Sequence, residues 1–346
     1  MTTVTPETPG LDGQWPNWWH YHGDGIPAAE ESRTALPDPP PWRAFHGEPV
    51  QPPPGDDGEE IGRKLGRANV SPPRRAGQRE GDMVNAAIRL RRPLLVTGRP
   101  GSGKSAIAFR VARELKLGRV LEWPITSRTT LRSGLYEYDA IGRAQAVTAG
   151  PGTDPRTGDF VRLGALGTGL LAYERPRVLL VDELDKSDID LPNDLLHIFE
   201  NGQFTIPELV RVSRREEQVS VYTDDPGGVA TVRDGRVRCR AFPIVVITSN
   251  GEREFPPAFL RRCLRLDLQM PSAEDLAAMV RAQLPGTAEG RSDLINDFLN
   301  RPAHDALARD QLLNAVYLTD SGAYAQEGEA WQRLITDIWH SLSQER

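Results

Sequence analysis

The stretch GRPGSGKS, Gly98 to Ser105, has the residue types and spacing of a loop that holds phosphate. Gly98, Gly101 and Gly103 let the backbone curl until its amides point at phosphate oxygens, and a following helix adds the dipole of its amino terminus. Lys104 is spaced to reach the β and γ phosphates, and the Ser105 hydroxyl to meet Mg²⁺. Arg99, Pro100 and Ser102 complete the loop and Ala106 opens the helix, so Gly98 to Ala106 form the candidate nucleotide-binding set. PLLVT before and AIAFRVAREL after supply the strand, turn and helix that such a loop requires.

Two later clusters supply the remaining chemistry. RVLLVDELDKSD, Arg177 to Asp188, reads as a buried strand with Asp182 at its carboxyl end, placed to hold the hydration shell of Mg²⁺ and lying beside the loop if the two strands are neighbours. Glu183 follows at once, and a second carboxylate there polarises an attacking water, which marks hydrolysis rather than transfer. Lys186 reads as a surface residue, with contact to a neighbour's nucleotide as the alternative. FPIVVITSN ends in Asn250, whose amide would lie near the γ phosphate. In GEREFPPAFLRRCLRLDL a short helix started by proline presents Arg261 and Arg262, which could cross a subunit boundary and neutralise charge developing during transfer.

These residues need a scaffold, and the texture of the chain supplies one. From about residue 83, apolar runs alternate with amphipathic helices, the pattern of an α/β domain with a parallel sheet. Strands are expected at Pro93 to Thr97, Arg119 to Trp123, Arg177 to Asp182, Ile244 to Thr248 and Leu264 to Leu268. The alternation around Asp234 and Gly235 predicts a hairpin that interrupts the parallel order. After Pro271 the strands stop and AEDLAAMVRAQL begins a helical region. Three parts follow: an extended head (1–82), an α/β nucleotide-binding domain (83–270) and a helical lid (271–346). The head holds 14 of the 29 prolines, which bars long helices and central strands, together with Trp15, Trp18, Trp19 and Trp42. Those rings need burial, so the head should strap across its own domain, a neighbouring subunit or a partner. The stripe Trp331, Leu334, Ile335, Ile338, Trp339 and Leu342 has helical spacing and is expected to pack against the lid.

The 346 residues carry 42 Lys plus Arg against 48 Asp plus Glu, a formal charge of −6 that argues against nucleic acid as the main partner. Cys239 and Cys263 are too few for a disulfide framework or a four-cysteine zinc site. No apolar run approaches the about 20 residues of a membrane span, and MTTVTPETPG lacks the features of a secretion signal, so a cytoplasmic protein is expected.

The ordered set from Gly98 to Arg262 resembles an AAA+ ATPase and, within that superfamily, the MoxR-like branch. MVNAAIRLRRPLLVTGRPGSGKS, DLPNDLLHIFENGQFTIPE, YDAIGRAQ and RLGALGTGLL carry the closer likeness. The resemblance covers roughly residues 83 to 346 and leaves the head unexplained. It implies a P-loop NTPase core with a parallel five-stranded sheet and a β-hairpin insertion, then an α-helical lid. It implies a ring, commonly hexameric, that binds ATP and Mg²⁺ between subunits and remodels a client protein or a partner bearing a von Willebrand factor A domain. By position Asn250 becomes sensor 1 and Arg262 the arginine finger, with Arg261 second. The lid departs from the family: ALARDQLLNAVYL has Asp310 at the aligned place, so either Arg309, one earlier, stands in as the lid arginine after a small shift or the lid contact is missing. Two other readings are a nucleotide-gated scaffold in a signalling or defence assembly, which the Trp and Pro head favours, and an ATP- or GTP-driven nucleic-acid motor, for which the arginines near the hairpin could line a pore.

Overall fold

The computed structural model describes residues 15–29, 35–55, 58–68, 76–148, 155–285, 292–300, 309–320, 333–334 and 337. At its centre five parallel strands, β1 (Leu94–Thr97), β2 (Leu121–Pro124), β3 (Val178–Asp182), β4 (Ile244–Ser249) and β5 (Leu264–Asp267), lie in the order β5-β1-β4-β3-β2. The runs are apolar throughout because both faces are covered. Leu95, Leu179, Val181, Val245 and Ile247 face one buried cluster, while Leu94, Val96, Val178, Leu180, Val246 and Leu266 face the other. The five expected strands are present, within two residues at each end.

The Asp234–Gly235 turn joins Val229–Arg233 to Arg236–Arg238, and both turn residues have positive φ, 51° and 64°, as a two-residue hairpin turn requires. The hairpin belongs to something larger than sequence reading anticipated. Six strands form a second sheet in the order Tyr136–Tyr138, Val161–Leu163, Gln218–Tyr222, Val229–Arg233, Arg236–Arg238 and Gln203–Thr205. Four of these strands have only three residues, too few for an alternation signal.

Helix α1 (Gly58–Leu65) falls inside the head, contrary to the expectation of an extended segment. It fits between Pro54 and Pro72, the longest stretch of the head after Pro27 without a proline. The expected boundary at residue 83 also cuts a helix, α2 (Gln78–Leu90). Helix α3 (Ala106–Glu114) follows the phosphate loop, and α4 (Leu191–Asn201) follows DELDKSD. Past β5 come α5 (Ala273–Gln283), α6 (Ser292–Asn300) and α7 (Arg309–Asp320), joined by a third cluster that includes Leu276, Val280, Phe298, Leu312 and Val316. Of the expected carboxyl-terminal stripe, Leu334 packs against this cluster, and the remainder lies outside the described residues.

The head straps across its own domain. Trp19 lies on Gly81 of α2, where an added Cβ would sit 1.9 Å from the ring, and its Nε1 donates to Asp82. Arg43 stacks over Phe242 at 4.2 Å and donates to the carbonyls of Arg91 and Phe199. Gln51 behaves as an extra piece of strand, its amide donating to Thr231 O and accepting from Thr231 N, both at 3.1 Å. Burial of all four indoles does not follow: Trp19 is buried, but Trp18 and Trp42 are 37% and 78% exposed. The anchoring around Trp42 falls to Arg43. Among the described residues no helix is long and apolar enough to cross a membrane.

Candidate nucleotide site

The phosphate loop leaves the carboxyl end of β1 and turns into α3. Gly98, Gly101 and Gly103 take φ of 150°, 78° and 89°, and an added Cβ on Gly98 would lie 2.5 Å from the carbonyl of Leu268. Only glycine meets both demands there. Lys104 Nζ donates to the carbonyls of Gly98 at 2.8 Å and Arg99 at 3.0 Å, so the lysine lies folded along its own loop. Ser102 is buried within the loop, while Pro100, Gly101, Gly103, Lys104, Ser105 and Ala106 face a cavity of 480 Å³.

Asp182 ends β3, and its Oδ1 accepts from Ser105 Oγ at 2.8 Å and from Thr248 Oγ1 at 2.6 Å. The strands of Asp182 and of the loop are not neighbours: β4 lies between them, and its Thr248 bridges the gap. Glu183 has a left-handed backbone, φ 60° and ψ 48°, unfavourable for a side chain with a Cβ. Its amide donates to Thr248 Oγ1 at 2.8 Å, which helps hold that conformation. The turn swings the Glu183 carboxylate onto the cavity wall with Asp182, Thr248 and Asn250.

Both Glu183 oxygens are engaged. Oε1 faces Asn250 Nδ2 at 3.4 Å, and Oε2 pairs with Lys186 Nζ at 2.7 Å, an interaction that raises the lysine pKa. The pair is partly exposed, which limits its strength to roughly 1 kcal/mol. Buried Asp185 accepts at Oδ2 from the amides of Asn250 and Glu252, each at 3.0 Å, and so fixes the backbone that carries Asn250. Sequence reading passed over Thr248 and Asp185. The hydroxyl in ITSN, two residues before Asn250, and the acid three residues after Asp182 were the available signals.

The fold does not bring every candidate to this cavity. Arg261 and Arg262 are exposed and lie away from its wall; Arg262 pairs with Glu200, and Arg92 clasps the carbonyls of both arginines. Arg309 opens α7, its side chain lying outside the described residues, while its neighbour Asp310 lines the cavity. Walls that sequence reading did not supply close the far end: Gly23, Asp24 and Gly25 from the head, Leu65 at the end of α1 and Ala68 after it, and Met279 and Ala282 from α5.

A cavity of this size suits a nucleotide. The hard oxygens of Ser105 and Asp182 fit Mg²⁺, which takes one or two protein oxygens and otherwise keeps water and phosphate. The family described as AAA domain (dynein-related subfamily) matches residues 93–263. That match over residues 93–263 supports an AAA domain of the AAA+ ATPase superfamily in this part of the chain. Its order β5-β1-β4-β3-β2 places the phosphate loop, Asp182 and Asn250 on three adjacent strands of the AAA sheet. No curated protein matches the sequence. Among solved structures, NtrX from Brucella abortus in complex with ADP aligns at 16% identity and a TM-score of 0.38, covering 72% of this chain and 50% of that one. The corresponding complex with ATP aligns at 15% identity and a TM-score of 0.37, covering 75% and 53%. The chain therefore spans about half the length of these structures.

Proposed function

We propose that the chain is a Mg²⁺-dependent ATPase of the MoxR-like branch that assembles into a ring, commonly hexameric in such proteins, and uses hydrolysis to remodel a protein client or a partner bearing a von Willebrand factor A domain. The observation that carries the hydrolytic reading is the division of labour between adjacent carboxylates. Asp182 is tied to Ser105 at the metal end of the loop, while the left-handed turn at Glu183 turns the second carboxylate toward Asn250. Ser105 and Asp182 would hold Mg²⁺, which when bound would supply positive charge to offset that of the phosphates. Lys104 would leave its loop carbonyls for the β and γ phosphates, and Asn250 would hold water in line with the γ phosphorus. Glu183 would take the proton of that water as its oxygen bonds phosphorus and the bond to the β-phosphate oxygen breaks. Arg262, remote from its own cavity, would serve the nucleotide of the adjoining copy, with Arg261 beside it.

The engagement of both Glu183 oxygens favours a second reading, a nucleotide-gated scaffold that turns over slowly until Lys186 is drawn away. Glu183→Gln separates the readings. A remodelling ATPase loses turnover by about 10²- to 10⁴-fold, keeps bound ATP and accumulates as a ring. Unchanged turnover in that variant removes Glu183 from the mechanism. Low turnover in both proteins, with partner contacts that follow ATP binding, favours the scaffold, and stimulation by DNA sinks the protein-remodelling reading.

A further inference from the structure

The two ends of α3 hold different things. Its first residues continue the phosphate loop, whereas its last turn holds the far walls of the same cavity. Glu114, fully buried in that turn, accepts three backbone amides of the head: His22 N at 2.7 Å and Gly23 N at 3.2 Å on Oε2, and Gly25 N at 2.8 Å on Oε1. The Glu114 carbonyl accepts a fourth, from Ala28 N at 3.0 Å. Arg113, one residue earlier, donates to the carbonyls of Ile61 and Gly66, which holds the segment leading to Leu65 and Ala68. Arg110 donates to Tyr21 Oη, which donates to Glu80. The head turn pinned in this way, Gly23 to Gly25, lies on the cavity wall.

We propose that Glu114 is a positioning residue that couples docking of the head to occupancy of the nucleotide cavity, so that the head acts as a nucleotide-linked strap. The inference rests on the preceding reading only in taking the cavity as the nucleotide's, and not on hydrolysis or ring formation. A carboxyl group buried among three amide donors is a high-stakes contact: without it those amides lose this acceptor, and the turn loses what holds it against α3. A nucleotide bridging the phosphate loop and the head turn gains the far wall only when the strap is down. By linkage, the strap must then be held more firmly when nucleotide is bound, by the same factor. Nine residues of α3 place the two ends roughly 13 Å apart, about the span from a nucleoside to its terminal phosphates.

The test uses the full chain and ADP. Hydrogen exchange of the His22, Gly23 and Gly25 amides is followed with and without ADP, and ADP affinity is measured by calorimetry for wild type, Glu114→Ala and Glu114→Gln. Trp19→Ala, which loosens the head from α2 without touching α3, serves as the independent variant if Glu114→Ala does not fold. The proposal requires ADP to slow exchange at these amides in wild type. It also requires loosened variants to bind ADP about tenfold more weakly, with kcat at saturating ATP unchanged and KM raised. The result for Glu114→Gln, which keeps one acceptor oxygen, should fall between. Exchange indifferent to ADP, or an affinity in Trp19→Ala equal to that of wild type, overturns it, as does a fall in kcat with KM unchanged. Linkage without measurable hydrolysis would sink the ATPase reading and leave the strap intact; hydrolysis without linkage would do the reverse.

Discussion

The phosphate end and the far end of the cavity are built by opposite strategies. At the phosphate end one contiguous run, Gly98 to Ala106, supplies most of the wall, and the bonds that matter involve backbone or short side chains: Lys104 on its own loop, Ser105 and Thr248 on Asp182. At the far end the wall comes from the head, the segment after α1 and α5, brought together by contacts between residues far apart in sequence, such as Arg67 N on the carbonyl of Ala282 at 2.8 Å. One end is set by local backbone geometry and the other by tertiary docking. Changes at the first should therefore alter chemistry or phosphate affinity with the fold intact, and changes at the second should alter affinity through order.

The largest effect that would test this contrast lies outside both ends. Arg262→Ala should lower turnover by about 10³- to 10⁵-fold while ADP affinity stays at the wild-type value, as measured by steady-state ATPase assay and calorimetry. A fall in affinity of similar size would place Arg262 in its own subunit's site. Lys104→Ala comes next. Loss of a charged phosphate contact worth roughly 1.5–3 kcal/mol predicts about 10- to 150-fold weaker ATP binding. Inorganic tripolyphosphate, which lacks a base, should feel Lys104→Ala as strongly as ATP does.

Gly66→Ala probes the other strategy. Gly66 has φ of 74°, and an added Cβ would lie 2.4 Å from the carbonyl carbon and oxygen of Ala282. The substitution should cost on the order of 1–3 kcal/mol of local order and weaken ADP binding while leaving tripolyphosphate unaffected. Equal losses for both ligands would erase the distinction between the two ends.

The smallest effect is one of pH. Burial pushes the Glu114 carboxyl up to about 7, with the charge of Asp24 adding to the rise and the amides of His22, Gly25 and Gly23 opposing it. A folded carboxyl that keeps its proton to about 7, against an ordinary value of 4.5, binds more protons than the unfolded chain between those limits. That contribution to stability is complete below about pH 4.5 and is lost as pH rises through about 7. Glu114→Gln should flatten this part of the profile of melting temperature against pH.

The same contrast explains what could be read before the fold was seen. Gly98 to Ser105, Asp182 and Asn250 stood out because each motif sits where an apolar strand ends, and the central sheet was legible from five such runs. Thr248 escaped because its role depends on β4 lying between β1 and β3, an order that no single segment encodes. Glu114 escaped because a lone acid in the last turn of an amphipathic helix looks like a solvated residue; its burial is created by a head more than 80 residues away. The second sheet was visible only at the alternating hairpin around Asp234 and Gly235, since its other strands include three of only three residues that draw their order from neighbours.

Gln51 has a consequence for solubility. By offering Thr231 a side-chain amide in place of a partner backbone, it occupies hydrogen-bonding positions that a strand from another molecule would otherwise take. Removing the head should therefore do more than loosen the nucleotide cavity: it should uncover the Thr231 backbone on an inner strand whose pairing with Arg236–Arg238 is confined to Arg233 and Arg236, and the shortened chain should precipitate at concentrations the full chain tolerates.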